Sequence, residues 1–309
     1  MAQADIILPT APARDPPTIR SIGPADLVAA LRSGVADFWA MPTHTIFLCL
    51  IYPIAGMALG WATFGLNVLP LLFPLAAGFA LIGPFAAIGL YELSRRRELG
   101  LDTSWRHAFD IIHSPSLPAI VTLGLLLLIV FATWLVAAQA IYAANFPDDE
   151  PLTVAAFARE LFSTPQGWNL IIVGNAVGFL FAVAAFSLSV ISFPLLLDRN
   201  VGTAVAIATS VKAIYRNPLT MIAWGLIVAA ALVLGSLPLF IGLAIVMPVL
   251  GHASWHLYRK VVVPDSSARP EFRPRVKGRR YGADFPVSLF VPSPPPPAGD
   301  GGQKPGGPA

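Results

Sequence analysis

From Thr45 to Tyr91 the chain reads TIFLCLIYPIAGMALGWATFGLNVLPLLFPLAAGFALIGPFAAIGLY, 47 residues without an Asp, Glu, Lys or Arg. An apolar helix needs about 20 residues, each rising about 1.5 Å, to cross the roughly 30 Å hydrocarbon layer of a bilayer. This stretch is therefore long enough for two membrane crossings. Further charge-free stretches occupy Ser114–Pro147, Leu161–Leu197 and Leu219–Tyr258.

The composition of the whole chain agrees with a membrane location. Hydrophobic residues make up 56% of the chain and charged residues 12%, and the mean hydropathy is +0.70. Soluble domains carry about twice this charged fraction. The single cysteine, Cys49, lies inside the first apolar stretch, which excludes a disulfide within the chain and favours a small buried hydrophobe.

Turn residues divide the apolar stretches into six predicted membrane helices. Gly65 to Asn67 separates the first two helices, and Gly235 to Pro238 separates the last two. The sequence therefore predicts an all-α membrane protein. The six predicted spans are residues 45–65, 68–91, 117–142, 170–197, 219–236 and 239–258.

The distribution of basic residues predicts the orientation in the membrane. Six crossings return both chain ends to one side, and that side then holds every Lys and Arg except Arg159. Because basic residues accumulate on the cytoplasmic side, both termini are expected in the cytoplasm.

A pattern that recurs three times precedes Pro42, Pro115 and Pro218. Each proline follows an amphipathic segment and introduces a predicted pair of membrane helices. We therefore predict three units, each an amphipathic α-helix on the membrane surface followed by a transmembrane hairpin. The three segments are Leu27–Met41, Asp102–Ser114 and Thr203–Asn217, and the apolar face of the second carries Trp105, Ala108, Phe109 and Ile112.

A proline also lies near the end of the second helix of each predicted hairpin. These prolines are Pro84, Pro194 and Pro248. A proline inside a helix removes one backbone hydrogen bond, so each is expected to kink its helix.

Three runs of the sequence carry a resemblance to known proteins. They are GPFAAIGLYELSRRRELGLDTSWRHAF (Gly83–Phe109), SFPLLLDRNVGTAVAIATSVKAIYRNP (Ser192–Pro218) and MPVLGHASWHLYRK (Met247–Lys260). These runs resemble a family of bacterial integral membrane proteins, the domain of unknown function 2189 family. The resemblance covers roughly Ile22–Lys260 and implies a multi-pass protein of the bacterial inner membrane without an established activity. Some members are labelled as cytochrome c oxidase subunits, so the resemblance also implies a haem or metal centre as a competing expectation.

The histidines provide the candidates for such a centre. His252 and His256 are four residues apart, so they share one face near the end of the sixth predicted helix. Two histidines without a carboxylate or thiolate neighbour form an incomplete ligand set for a metal. The favoured interpretation is an anchoring cluster with Trp255 and Tyr258 at headgroup level, and no metal or cofactor is expected.

The charged residues of the first cytoplasmic loop do not form a convincing catalytic set. Acidic and basic residues alternate there, which is typical of a charge-balanced surface loop touching anionic headgroups. Asp198 and Arg199, which end the fourth predicted span, are interpreted as an interfacial ion pair. The loop residues are Glu92, Arg95, Arg96, Arg97, Glu98, Asp102, Arg106 and Asp110.

Transport coupled to an ion is not favoured either, because the predicted spans contain no Asp, Glu, Lys or Arg. Asn175 is the most polar residue deep in the fourth span. It lies between Gly174 and Gly178, a spacing that favours close helix packing with one interhelical hydrogen bond.

Both ends of the chain are rich in proline, alanine or glycine, which predicts disordered tails at residues 1–22 and 262–309 around a membrane domain at 23–261. The C-terminal tail carries a basic patch, for which anionic lipid is the expected partner. Nucleic acid is not an expected partner, because no folded recognition element accompanies the patch. The basic residues are Arg269, Arg273, Arg275, Lys277, Arg279 and Arg280.

The sequence thus predicts a non-enzymatic membrane component. It is expected to act as a scaffold or accessory subunit with membrane-protein partners, or to handle a lipid or small apolar ligand. The alternatives are an electron-transfer subunit that uses His252 and His256, and an uncoupled small-molecule facilitator.

Overall fold

The computed structural model describes residues 5–8, 17–41, 87–146, 154–238, 241–264 and 271–274. The chain divides into two compact units, Ile6–Arg273 and the remaining terminal residues. The described part is helical apart from two short paired strands, β1 (Asp5–Leu8) and β2 (Glu271–Pro274). The helices are α1 (Pro24–Ala40), α2 (Ile88–Glu98), a 3-10 helix (Trp105–His113), α3 (Leu117–Asn145), α4 (Val154–Ser163), α5 (Pro165–Ser189), α6 (Ser192–Asp198), α7 (Thr203–Arg216), α8 (Pro218–Ser236) and α9 (Leu243–Val261).

Three helical segments among the described residues are long and apolar enough to cross a membrane. They are α3, α5 together with α6, and α8, and they contain the third, fourth and fifth predicted spans. The first predicted span and most of the second lie outside the described residues. The sixth corresponds to α9, which does not meet the same criterion of length and hydropathy. Six crossings and the three-unit arrangement therefore stay predictions.

Helices α3 and α5 form a hairpin. The buried side of α3 includes Leu123 and Trp134, and a Cβ atom placed on Gly178 of α5 would lie 3.0 Å from the Trp134 ring. At the far end of the hairpin, the Asn169 amide donates a hydrogen bond of 2.8 Å to Asn145 Oδ1. The connection between the two helices contains α4.

Asn175 does not make the predicted interhelical hydrogen bond among these contacts. Its side chain is exposed, and its amide donates to the Ile171 carbonyl of the same helix at 2.7 Å. Only Gly178 of the neighbouring glycine pair touches α3, since a Cβ on Gly174 would meet nothing within 4 Å. The physical reason is the rotation of α5, which turns Asn175 away from α3.

The prolines affect the helices in different ways. The helix break between Ser189 and Ser192 coincides with Pro194, whose missing N–H cannot donate to the carbonyl of Val190. Pro248 lies inside α9 without ending the helix. Pro84 lies outside the described residues.

Each of the three predicted amphipathic segments coincides largely with a helix that ends two residues before its proline. The second differs from the prediction, because it is a 3-10 helix and not an α-helix. Residues three apart are eclipsed in a 3-10 helix. This conformation aligns His107 with Asp110, whose side chains are in contact at 2.6 Å.

Helix α1 packs closely along α9. The contact is closest at Gly34, where an added Cβ would lie 2.7 Å from both the Cβ and the backbone nitrogen of Ala253. Leu27, Ala30 and Phe38 lie on the same buried side of α1.

The chain before α1 is tied to the end of α9. Ile19 forms an antiparallel bridge with Val262, and the Arg20 N–H donates to the Val261 carbonyl at 2.7 Å. Residues 17–22 and the two strands thus have defined structure within segments for which the sequence predicts disorder. Their backbone partners come from the other end of the chain, which composition alone does not reveal.

We expect Gly34→Ala to destabilise the protein, because the new methyl group overlaps the α9 backbone. Overpacking of this kind typically costs about 1–3 kcal/mol. The measurement is the thermal unfolding midpoint in detergent, followed by tryptophan fluorescence.

Gly174→Ala is the matched control, since an added Cβ meets only open space there. Alanine is the better helix former by up to about 1 kcal/mol, so its midpoint should be unchanged or raised. Equal midpoints for the two variants would contradict the close packing of α1 on α9.

Candidate functional site

The charged end of α2 is the centre of a buried ionic network. Successive residues of an α-helix point about 100° apart, so three consecutive arginines face three different sides. The three arginines accordingly have different partners. Arg95 contacts Leu197 of α6, Arg96 contacts Asp102 just before the 3-10 helix, and Arg97 contacts Asp37 of α1.

Arg95 joins α2 to the end of α6. Its Nη1 donates a hydrogen bond of 2.6 Å to the Leu197 carbonyl, and its Nε lies 3.3 Å from Glu92 Oε2. The last carbonyls of a helix have no partner within the helix, so a guanidinium is a favourable cap. Arg95 therefore satisfies a carbonyl at the buried end of α6.

Arg96 joins α2 to the 3-10 helix. Its Nε donates to the Asp102 carbonyl at 2.6 Å, and its Nη1 lies 3.7 Å from Asp110 Oδ2. The His107 ring lies between the two carboxylates, with Nδ1 2.6 Å from Asp110 and Nε2 3.1 Å from Asp102. Burial raises the pKa of the nearby Glu92 carboxyl, although Arg95 and Arg96 oppose part of this effect.

The Asp37 carboxylate on α1 contacts side chains from two other helices, α2 and α9. Its Oδ2 accepts hydrogen bonds from Ser94 Oγ at 2.6 Å and His256 Nε2 at 2.8 Å, and Arg97 pairs with its Oδ1. His252 Nδ1 lies 2.7 Å from Ser94 Oγ. The network thus links α1, α2 and α9 through one carboxylate.

The charge of Asp37 fixes the direction of these bonds. Burial opposes the ionised form, but the hydrogen bonds from His256 and Ser94 outweigh it, so the pKa of Asp37 lies below its ordinary value of 3.8. Since an ionised carboxylate only accepts, the Ser94 hydroxyl donates to Asp37 and accepts from His252 Nδ1. Ser94 is thus the bridging group, whereas a hydrolase triad needs the histidine in the middle.

A third cluster ties the end of α9 to α2 and α6. Tyr258 donates to Asp198 Oδ2 at 2.6 Å, Arg259 donates to Glu98 Oε1 at 2.8 Å, and Trp255 Nε1 donates to Glu98 Oε2 at 3.1 Å. Arg199 Nε lies 3.8 Å from Asp198, as expected for an ion pair. Arg199 is also buried and donates to the Val263 carbonyl, so it joins the end of α6 to the end of α9.

These three clusters form one structural feature, which we call the ionic collar. It consists of Asp37, Glu92, Ser94, Arg95, Arg96, Arg97, Glu98, Asp102, His107, Asp110, Asp198, Arg199, His252, His256, Tyr258 and Arg259.

The structure corrects the interpretation of the first loop as a charge-balanced surface loop for only part of its residues, since Arg97 and Glu98 are exposed. Glu92, Arg95 and Arg96 are buried, because the 3-10 helix, α6 and α9 pack around α2. Asp37 is the residue that sequence reasoning missed. The available signal was its position, because it follows Leu27, Ala30 and Gly34 on the side of α1 that packs against the core.

The two histidines lie close together, as their spacing predicts, but each is engaged by a polar neighbour on another helix. His252 contacts Ser94 and His256 contacts Asp37. Within the described ranges, no group of three or more His, Cys, Asp or Glu side chains is arranged to hold a metal ion.

The middle of the chain matches the model of a family of integral membrane proteins. Residues 71–198 match DUF2189, described as "Predicted integral membrane protein", which confirms the resemblance to the domain of unknown function 2189 family over this segment. The segment supplies the three arginines of α2 and ends at Asp198. No curated protein and no solved structure matches the chain.

We expect Asp37→Asn to lower the free energy of unfolding by about 3–5 kcal/mol, as is typical when one partner of a buried ion pair is removed. The amide group cannot accept from Ser94, His256 and Arg97 together. Chemical unfolding in detergent measures the difference from the wild type.

Asp26→Asn is the control, because Asp26 pairs with Lys260 at 3.2 Å near the surface, where a pair contributes about 1 kcal/mol or less.

The lowered pKa of Asp37 provides a second test, in which stability is measured as a function of pH. The stabilisation from Asp37 is present above about pH 4 and is lost as the pH falls through its lowered pKa, so the deficit of Asp37→Asn should shrink there. If Asp37→Asn and Asp26→Asn lose the same free energy of unfolding at pH 7, the proposed buried network around Asp37 is wrong.

Proposed function

We propose that this protein is a six-span component of the bacterial inner membrane, with both termini in the cytoplasm, that acts as a non-enzymatic scaffold or accessory subunit. The membrane location rests on the family match and on the three apolar helical segments. The number of spans, the orientation and the role are argued from the contacts of the ionic collar.

Helix ends that meet at the collar support the antiparallel arrangement. Ser116, just before α3, lies 3.5 Å from the carbonyl of Arg199, just after α6, while Thr203 at the start of α7 donates to Ala119 of α3. Asn217, just before α8, accepts from the Ile22 N–H at 2.8 Å. The helices α3 and α8 therefore begin where α6 and α9 end, as paired hairpins require.

The two chain ends support an even number of crossings. Residues 18 and 20 are hydrogen-bonded to the chain at Val261 and Val263, so the segments before α1 and after α9 lie at the same end of the helices. Three crossings by the apolar segments and one by α9 make four, and a hairpin formed from the first two predicted spans gives six. Most Lys and Arg residues of the described part lie at this end, which the positive-inside rule assigns to the cytoplasm.

The observation that carries the non-enzymatic role is the burial of the most reactive group of side chains. Ser94 touches both a carboxylate and a histidine, yet it is 0% exposed, and His252 is 2% exposed. A nucleophile must reach its substrate, whereas a structural network must be shielded from water to be strong. The network thus suits the joining of α1, α2 and α9.

The orientation can be tested with reporter fusions. Reporters fused to residue 1 and residue 309 should both be active only in the cytoplasm, and a reporter inserted between residues 147 and 153 should be active only on the other side. Chain ends on opposite sides of the membrane would overturn the six-span arrangement.

The scaffold role predicts protein neighbours for the exposed apolar faces. Photo-cross-linking residues at Val136, Phe179 and Leu226, all exposed, should give discrete protein adducts in native membranes at one position or more. A cross-linker at buried Leu123 is the control. Adducts with lipid alone at every position would contradict a scaffold.

The alternative roles give different results with the purified protein. A visible haem band or stoichiometric metal would favour an electron-transfer subunit, ordered co-purifying lipid a lipid-handling role, and solute flux into vesicles a facilitator.

A further inference from the structure

The polarity of the helices around the ionic collar is the reverse of that in a water-soluble protein. A surface helix in water turns its charged side outwards and its apolar side to the core. Here the side chains that face inwards include ions, and many of those that face outwards are apolar.

Helix α1 shows this reversal along its length. Asp37 is buried beside Phe38, whereas Trp39 is 73% exposed, and Val28 and Val35 are exposed on the same outer side. These outer positions are spaced by seven and four residues and share one side of the helix, which is apolar apart from the exposed Arg32 between Val28 and Val35.

The 3-10 helix shows the reversal more clearly. His107 and Asp110 face inwards to Arg96 and Asp102, while Phe109 is 48% exposed and Ile112 is 59% exposed. The outer side is thus the apolar face that the sequence predicts, and its inner side is fixed to α2.

Both helices lie next to the membrane-crossing part of the protein. The 3-10 helix ends at His113 and α3 begins at Leu117, a gap that spans at most about 14 Å. Helix α1 runs back along α9, since Asp26 contacts Lys260 while Gly34 packs on Ala253, seven residues before Lys260. Its C-terminal half with Trp39 is therefore directed from the end of α9 towards the bilayer.

We propose that α1 and the 3-10 helix are inserted into the lipid leaflet that surrounds the collar, with their outer apolar faces in contact with lipid. The occupant is the leaflet itself, including anionic headgroups. Arg106, which lies 5.9 Å from the Trp105 ring centroid, provides a cation beside an aromatic side chain, a combination typical of the membrane interface.

Insertion explains why the charges face inwards. Transfer of an exposed aromatic or branched side chain from water to an apolar phase is favourable. A charge in contact with lipid is unfavourable, and pairing within the protein reduces this cost. Asp37 and His107 are thereby shielded from lipid, and the collar lies at the depth of the leaflet.

Spin labels at single cysteines test the proposal, because Cys49 is the only native cysteine and Cys49→Ala gives a suitable background. The test variants are Val35→Cys and Phe109→Cys. Leu128→Cys on α3 is the lipid-facing reference. Ser21→Cys, at an exposed position just before α1, is the water-facing reference. The protein is placed in vesicles of phosphatidylethanolamine and phosphatidylglycerol.

Accessibility to oxygen, which concentrates in lipid, is compared with accessibility to a water-soluble nickel complex. The oxygen-to-nickel ratio at Val35 and Phe109 should be close to that at Leu128 and several-fold above that at Ser21. A ratio like that at Ser21, or protection from both reagents, would overturn the proposal. Val28→Cys and Ile112→Cys repeat the test if a first variant does not fold.

The proposal rests on the membrane location and not on the number of spans or the scaffold role. The reporter fusions could thus contradict the six-span arrangement while the spin labels still show insertion of the two helices. Conversely, the spin labels could contradict insertion while the reporters agree with six spans.

Discussion

The structure depends on the pairing of charges that are held away from water at the ends of apolar helices. An unpaired ion in such surroundings costs several kcal/mol, so each arginine of α2 requires an acceptor close by. Because the three arginines are consecutive, their acceptors must lie on three sides of the helix. This requirement explains why α1, the 3-10 helix and α6 all converge on a helix of eleven residues.

A collar of this kind joins the helix ends to one another and leaves apolar side chains on their outer faces exposed. Asp37 joins α1, α2 and α9 by hydrogen bonds, and Tyr258 and Arg199 join the end of α9 to the end of α6. Removing one member leaves several partners unsatisfied, so the network acts as a unit. Joined helix ends with exposed apolar faces are the features on which the proposed scaffold role rests.

The family match and the network cover different parts of the chain. Residues 71–198 contain the arginines and their partners on the 3-10 helix and α6. Asp37, His252 and His256 come from helices outside this segment and complete the network around Ser94. The matched segment therefore provides the basic centre, and the flanking helices provide the carboxylate and the imidazoles that enclose it.

The sequence by itself determined the membrane location, the helical class and the position of the third, fourth and fifth apolar segments. Hydropathy is a property of neighbouring residues, so it can be read along the chain. The sequence also located the helices before Pro115 and Pro218, because amphipathic spacing and proline breaks are likewise properties of neighbouring residues. Only the tertiary structure decided that Asp37 meets Ser94 and His256, that Arg96 meets Asp110, and that two of the three arginines are buried. These contacts join residues that lie far apart in the sequence, and the burial of a charge depends on which helices pack around it.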